Sequence, residues 1–463
     1  MKHAVEEVQL KNGARGLLVD IPGATVMATR IQFRAGMLYA KSKDIYELPH
    51  VVEHLAFGAN AKYKDEQDFE AEFTKNGAYH NAWTSDVSVC YETECADFEW
   101  DRIMELQKLS IAEPRFNEEE LKAEKSNVRS ELTGYMNDYY RLLWPRVQQA
   151  VGEDVLDLSA RRDTIANIEL KDIREHYRRT HTAKNMMFII AGKIHGRKHK
   201  IIQELESWPL KEGEKFEIPI VDLKSSEMVA IRRKDASNIT FGFSLVTPRH
   251  LNSKEVFAMN CLNHILNGTM NSKIFGVARK RGLVYGMGSA ICSNAHSTYW
   301  DFDGEVNEEN ADKLFSLIQT EMTKALNGEI SDKDFESAKQ YALGRFQMGA
   351  QTVGQIADYY AENYFANEEV DKYDNMPNII KGIDKSKMIE LSREFAGSGI
   401  KGFATVSSVE KAALTELEAK LNFWFAVAWQ FVLVSPAKFV DAGDAFEGLH
   451  YAIDTEETFE NLC

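Results

Sequence analysis

The chain has 463 residues, 44% of them apolar and 27% charged, the make-up of a folded protein of about three domains, which excludes disordered, collagen-like and low-complexity chains. Lysine and arginine number 55 against 71 acidic residues, a formal charge of −16. That excludes a general nucleic-acid binder, because clustered cations must meet the phosphate backbone.

The five cysteines, Cys90, Cys95, Cys261, Cys292 and Cys463, are odd in number and lack CxxC spacing. Neither a disulfide framework nor a thiolate metal site is expected. The opening MKHAVEEVQLKNG has no apolar core of a secretory leader, and no run approaches the roughly 20 apolar residues of a spanning helix. A cytoplasmic setting without a spanning segment is expected.

In chain order, ARGLLVDI and ATVMATRIQFRAG (14–36) read as extended segments separated by the turn-forming Pro22-Gly23. A helix follows over 46–57, with Pro49 tolerated only in its first turn. Asp65 to Lys75 reads as a second helix, stopped by Asn76-Gly77. Residues 78–94 alternate as paired strands, and two long amphipathic stretches, 96–111 and 117–142, read as helices. Residues 170–180 form a helix, and NMMFIIAG (185–192) a buried strand ending in glycine.

Residues 207–227 mix proline, glycine and charge without a helical period and read as a linker. The second half then repeats the order of the first: strand-like 239–246, a helix around 254–267, a glycine-marked segment, strand-like residues, and helices at 308–327 and 332–349. VVEHLAFG (51–58) lies over CLNHILNG (261–268), matching His54 with His264 and Gly58 with Gly268. The trio His50, Glu53, His54 becomes Asn260, Asn263, His264, so the second copy lacks the chemistry of the first. The expected parts are 1–206, a metal-binding half; 207–227, the linker; 228–421, a homologous half; and 422–463, an extra tail. The tail opens with NFWFAVAWQFVLV, which as a helix would reach only about 20 Å of a bilayer core of about 30 Å.

The chemistry lies in His50-Val-Val-Glu53-His54. On a helix, i, i+3 and i+4 share one face, so both imidazoles and the carboxylate point the same way. Two imidazoles can hold Zn²⁺, which needs a third protein ligand and an open position. Glu53 suits a general base that takes a proton from water acidified by the metal. An amphipathic helix with hydrogen-bonded histidines would give the same letters, so the downstream sequence matters. Glu124 and Glu131, seven residues apart, share a helix face two turns apart and could supply the third ligand and an orienting carboxylate. A solvated charged face would give the same pair.

With these residues in place, the chain resembles the inverted-motif zinc peptidases that include pitrilysin, insulin-degrading enzyme and the mitochondrial processing peptidase. That family carries His-x-x-Glu-His and a glutamate ligand about 75 residues later; Glu131 lies 77 residues after His54. Glu124 matches the family's supporting glutamate. The resemblance implies that His50, His54 and Glu131 bind zinc and that Glu53 is the general base. GAYHNAWTSDVSVCY (77–91) is similar to the segment whose asparagine, here Asn81, lies on a substrate-contacting edge strand. AKNMMFIIAG (183–192) resembles the strand closing the first half's second subdomain.

LNGTMNSKIFGVARKRGLVYGMGSA (266–290) resembles the second-half stretch carrying an Arg/Tyr pair, with Tyr285 at the tyrosine. The arginine position holds Ala278, flanked by Arg279 and Arg281, and either of these could aim a donor at a developing oxyanion. The 422–463 tail has no counterpart in the family.

The expectation is therefore an α+β protein of two homologous halves, each of two similar α+β subdomains, closing as a clamshell. It would be a zinc-dependent endopeptidase or oligopeptidase acting on unfolded peptides in an enclosed chamber. The short, processing-peptidase-like length implies a homodimer or heterodimer. The rival readings are a subunit that needs a partner for activity, a non-catalytic peptide-binding or scaffold paralogue, and a non-peptidase zinc hydrolase.

Overall fold

A computed structural model describes residues 1–421; the aromatic tail singled out above lies outside the described residues. The chain opens with β1 (Ala4–Gln9), β2 (Arg15–Asp20), β3 (Val26–Phe33), α1 (Leu48–Ala56), α2 (Glu66–Thr74), β4 (Tyr79–Thr84) and β5 (Val89–Ala96). There follow α3 (Trp100–Ala112), α4 (Glu118–Tyr135), α5 (Tyr139–Ala150), α6 (Leu158–Thr164), α7 (Leu170–Thr180), β6 (Met186–Gly192) and α8 (Lys198–Ser207). After a stretch without helix or strand come β7 (Val229–Arg232), β8 (Ile239–Thr247), α9 (Ser253–Asn267), α10 (Phe275–Lys280), β9 (Val284–Ser293) and β10 (Thr298–Val306). The chain continues through α11 (Glu308–Leu326), α12 (Asp332–Met348), α13 (Val353–Asn367), α14 (Met376–Lys381), α15 (Lys385–Gly397), β11 (Ile400–Ser407) and α16 (Lys411–Ala419).

The fold is α+β, with one sheet in each of two compact units. The first sheet has the order β1-β2-β6-β3-β5-β4, the second β7-β11-β8-β10-β9. Leaving β1 aside, the orders correspond strand for strand. In both, the parallel pair falls at the same place, β2 with β6 and β7 with β11, and every other pairing is antiparallel. The duplication suggested by two identities in eight aligned positions thus extends to five strands of each sheet.

Two expectations differ from the structure. β1 was not foreseen, because AVEEVQ is mostly exposed and lacks a buried face. The helix read through 117–142 is two, α4 and α5, broken at Asn137-Asp138. Asp138 stops the period by accepting the Tyr140 and Arg141 amides, capping α5. Gly77, at φ +79, ends α2 as expected.

The units do not follow chain order. Unit 1 comprises Met1–Gly134, Leu158–Pro219 and Gln347–Lys372; unit 2 comprises Tyr135–Asp157, Ile220–Phe346 and, of the described residues beyond, 373–421. In unit 1 one sheet face, with Met27, Ile31, Phe33, Tyr91, Phe188 and Ile190, forms the core. The other face is covered by α13, which packs on β3 and β6. There Arg30, buried, donates to Asp358 of α13 (2.7 Å) and to Glu94 (3.0 Å), so a charge at the sheet centre is paired rather than orphaned. In unit 2 the corresponding cover is α5, whose Leu143, Trp144 and Val147 pack on Ala404 and Val406 of β11. Each such side chain stabilises by about 1.5–3 kcal/mol when buried. Each sheet is therefore completed by a helix from the other half of the sequence.

Candidate metal centre

α1 begins with Leu48-Pro49, where proline's missing amide costs nothing, and its apolar Val51, Val52 and Leu55 fasten it in the core of unit 1. That anchoring leaves His50, Glu53 and His54 on the face turned toward α4. His50 Nε2 and His54 Nε2 both lie 3.5 Å from the same oxygen of Glu131, and the three donor atoms all lie within 4.8 Å of one another. A tetrahedral ion with bonds of about 2.1 Å holds its ligand atoms about 3.4 Å apart, so two nitrogens and a carboxylate at these spacings fit zinc.

The other ring nitrogens are also occupied. His54 Nδ1 is 2.9 Å from Glu124 Oε2, and His50 Nδ1 is 2.9 Å from Glu47 Oε2. Each imidazole thus hangs from a carboxylate with its Nε2 free to face Glu131, which fixes ring orientation and raises ligand basicity. Glu124 lies where the sequence put it. Glu47 was missed, although it precedes His50 by three residues and so shares its face. Its side chain is 0% exposed and is paired with Arg161 Nε. Burial alone would raise the Glu47 carboxyl, but Arg161 and His50 outweigh it and hold it down at about 2. Arg161 offers no local signal in the sequence.

Burial opposes a proton on His50, yet its hydrogen bonds to Glu131 and Glu47 lift it to about 10. His54 behaves alike: burial opposes charge, and Glu124 and Glu131 lift it to about 9. The field that draws positive charge onto these rings is the field a divalent cation would meet. Glu53, also buried, is pushed upward by desolvation. Thr84 Oγ1 donates to its Oε2 at 2.6 Å. Thr84, the second missed residue, reaches Glu53 because strand alternation puts it on the face opposite Asn81.

Asn81 is exposed on β4, an outer strand of the sheet, between the exposed Tyr79 and Trp83 on the same face. Beyond His54 stand Glu66, Glu70 and Glu120, and the Glu66 carboxyl is raised by burial and then by Glu124 and Glu70. In unit 2, Ala278 is 0% exposed inside α10. Arg279 lays its guanidinium 4.1 Å from the ring centre of Tyr285, itself 86% exposed. Arg281 closes α10 as its C-cap. Of the two candidate arginines, Arg279 is thus the one beside the tyrosine.

Residues 17–157 match the family described as "Insulinase (Peptidase family M16)", and residues 167–341 match "Peptidase M16 inactive domain". The chain is similar to the uncharacterised zinc protease YmxG of Bacillus subtilis, 19% identical over 397 residues, covering 84% of this chain and 95% of that protein. It is 26% identical over 136 residues to the A-factor-processing enzyme of Saccharomyces cerevisiae, covering 29% of this chain but 13% of that protein. A protease from Helicobacter pylori shares the fold at a TM-score of 0.74 and 17% identity, over 88% of this chain and 100% of that one. A peptidase M16 inactive domain from Pseudomonas fluorescens does so at 0.74 and 13%, over 88% and 98%.

Proposed function

We propose that this chain, which belongs to the M16 peptidase family, is a zinc-dependent metallopeptidase that hydrolyses unfolded peptides. The observation that carries the reading is the pair of imidazoles converging at 3.5 Å on one oxygen of Glu131, each backed by its own carboxylate. In this reading His50, His54 and Glu131 hold the metal, and Glu124 and Glu47 orient the two rings. Zinc, when bound, supplies a Lewis acid that acidifies water and polarises the peptide carbonyl.

Glu53 is the base. Its buried carboxylate, held on one oxygen by Thr84, keeps the other for the proton of the attacking water and returns that proton to the leaving amine. Asn81 and the outer edge of β4 receive the peptide in extended form, since an unpaired strand edge offers main-chain donors and acceptors. Arg279 and Tyr285 are the donors aimed at the developing oxyanion. The acidic flank of Glu66, Glu70 and Glu120 supports a preference for basic peptides. A dimer of such chains in the cytoplasm belongs to the same reading.

A second reading is favoured by Ala278, which stands where relatives resembling this chain place an arginine: the metal-bearing subunit would then need a partner to supply that group. Metal content and cleavage of an unstructured basic peptide test both. About one zinc per chain, with hydrolysis lost in Glu53→Gln while zinc is kept, is expected. Normal cleavage by Glu53→Gln would remove Glu53 as the base. Zinc without cleavage in the wild type, restored by a cell extract, would favour the partner reading.

A further inference from the structure

At the C-terminal end of α13, within unit 1, several cations gather on one carboxylate. Glu368, the residue that ends the helix, has φ +59, and among the described residues it is the only non-glycine in the left-handed region. Such a backbone is unfavourable for a residue with a side chain and persists only where its surroundings impose it. Here the surroundings are ionic. One Glu368 oxygen accepts from Arg15, and the other from Lys215 and, at 3.4 Å, from Arg34.

These residues, with Lys184, line a narrow cleft of about 10 Å³ that opens to solvent, the rest of the space between the cations being filled by the Glu368 side chain. Arg34 is 4% exposed and its Nε has no hydrogen-bond partner. Glu7 faces Arg15 at 2.9 Å, and Glu212 pairs with Lys184 from the exposed side. Four cations therefore face three carboxylates, of which Glu7 and Glu212 stand outside and Glu368 alone lines the cleft, on a strained backbone.

We infer that this cavity is a binding site for a small oxyanion of the phosphate class, and that Glu368 occupies it as a tethered ligand. Arginine forks suit the oxygens of phosphate and carboxylate alike, and with Glu368 displaced the four cations set against Glu7 and Glu212 leave a surplus of two positive charges, which matches a dianion better than a single carboxylate. Displacement of Glu368 relieves its left-handed backbone and unpins the end of α13, four residues before the chain leaves unit 1 at Lys372. The site shares no residue with the metal centre.

The test is titration calorimetry of the full chain with inorganic phosphate at constant ionic strength, with acetate as the carboxylate control. Glu368→Gln removes the competing charge, and Glu368→Gly also removes the backbone strain. Both variants are expected to bind phosphate at least about tenfold more tightly than wild type, a gain of about 1.4 kcal/mol. Arg34→Met added to either is expected to abolish the gain. Absence of saturable phosphate binding in folded Glu368→Gln, equal affinity in wild type and both variants, or a gain that survives Arg34→Met would each overturn the proposal. Acetate binding as tightly as phosphate would overturn the dianion assignment.

Discussion

α1 and α9 are the same helix in two copies of one architecture, and they have been put to different uses. In α1 the Glu53 carboxylate faces the two imidazoles and Thr84. In α9 the corresponding Asn263 accepts from the Trp300 indole (3.0 Å) and donates to the Ser289 carbonyl (3.0 Å), tying the helix to β10 and β9. His264, the partner of His54, lies flat on Tyr341, with ring centres 3.7 Å apart. Where α1 carries a carboxylate, α9 carries an amide that braces the helix in two directions. The fold tolerates either, so catalytic potential here is a property of side chains and not of the backbone they share.

The contrast can be broken most severely at the ligands. His50→Ala, His54→Ala or Glu131→Ala should lower zinc from about one per chain to a small fraction and cut hydrolysis by about a thousandfold or more, measured by elemental analysis and peptide cleavage. His264→Ala should leave zinc unchanged; a loss of metal there would erase the distinction between the copies. Next is Glu47→Gln, which keeps the shape but weakens the support of His50 and strips Arg161 of its counter-charge. Zinc affinity should fall by about 10–100-fold in competition with a chelator, and an unchanged affinity would make Glu47 a packing residue only.

In the second copy, Asn263→Leu should leave zinc alone and cost about 1–3 kcal/mol in denaturant unfolding, because the Trp300 donor and Ser289 acceptor are left buried. The smallest effect is a pH dependence in unit 2. Asp301 on β10 is fully buried, one of its oxygens lacks a partner, and burial, with Glu153 adding and Ser244 opposing, raises its carboxyl to about 8. A carboxyl raised in the folded state costs nothing below its unfolded value near 3.8, costs progressively more as pH rises toward 8, and levels off above it. Asp301→Asn should therefore raise the melting temperature at pH 8 by a few degrees and leave it unchanged at pH 4. A gain equal at both pH values would mean that ionisation is not the cause.

The cluster on α1 was legible because three chemical groups at i, i+3 and i+4 sit on one turn, and Pro49 marks where that turn begins. Glu131 was not legible from its surroundings, since a glutamate on a charged helix is commonplace; only the resemblance to a family singled it out. Glu47 lay just outside the motif, and Arg161 reaches it from 114 residues away. Thr84 was hidden by alternation, which directs attention to one face of a strand at a time. The strands and helices themselves followed from period and turn residues, whereas the exchange of α5 and α13 between sheets did not. An amphipathic helix announces that it will be covered, but not by what.

That exchange bears on how the protein is made. A ribosome that has released the first 346 residues has produced every strand of the first sheet, but not the helix that pairs Arg30 with Asp358. Until α13 emerges, a guanidinium and the polar face around it stay open to water and to other chains. The second sheet waits for β11, which begins at Ile400. The first half therefore cannot mature as an autonomous module early in synthesis, because its sheet is covered only by a helix from the second half. Limited proteolysis or gene dissection at the 207–227 segment should accordingly yield two insoluble fragments rather than two small proteins.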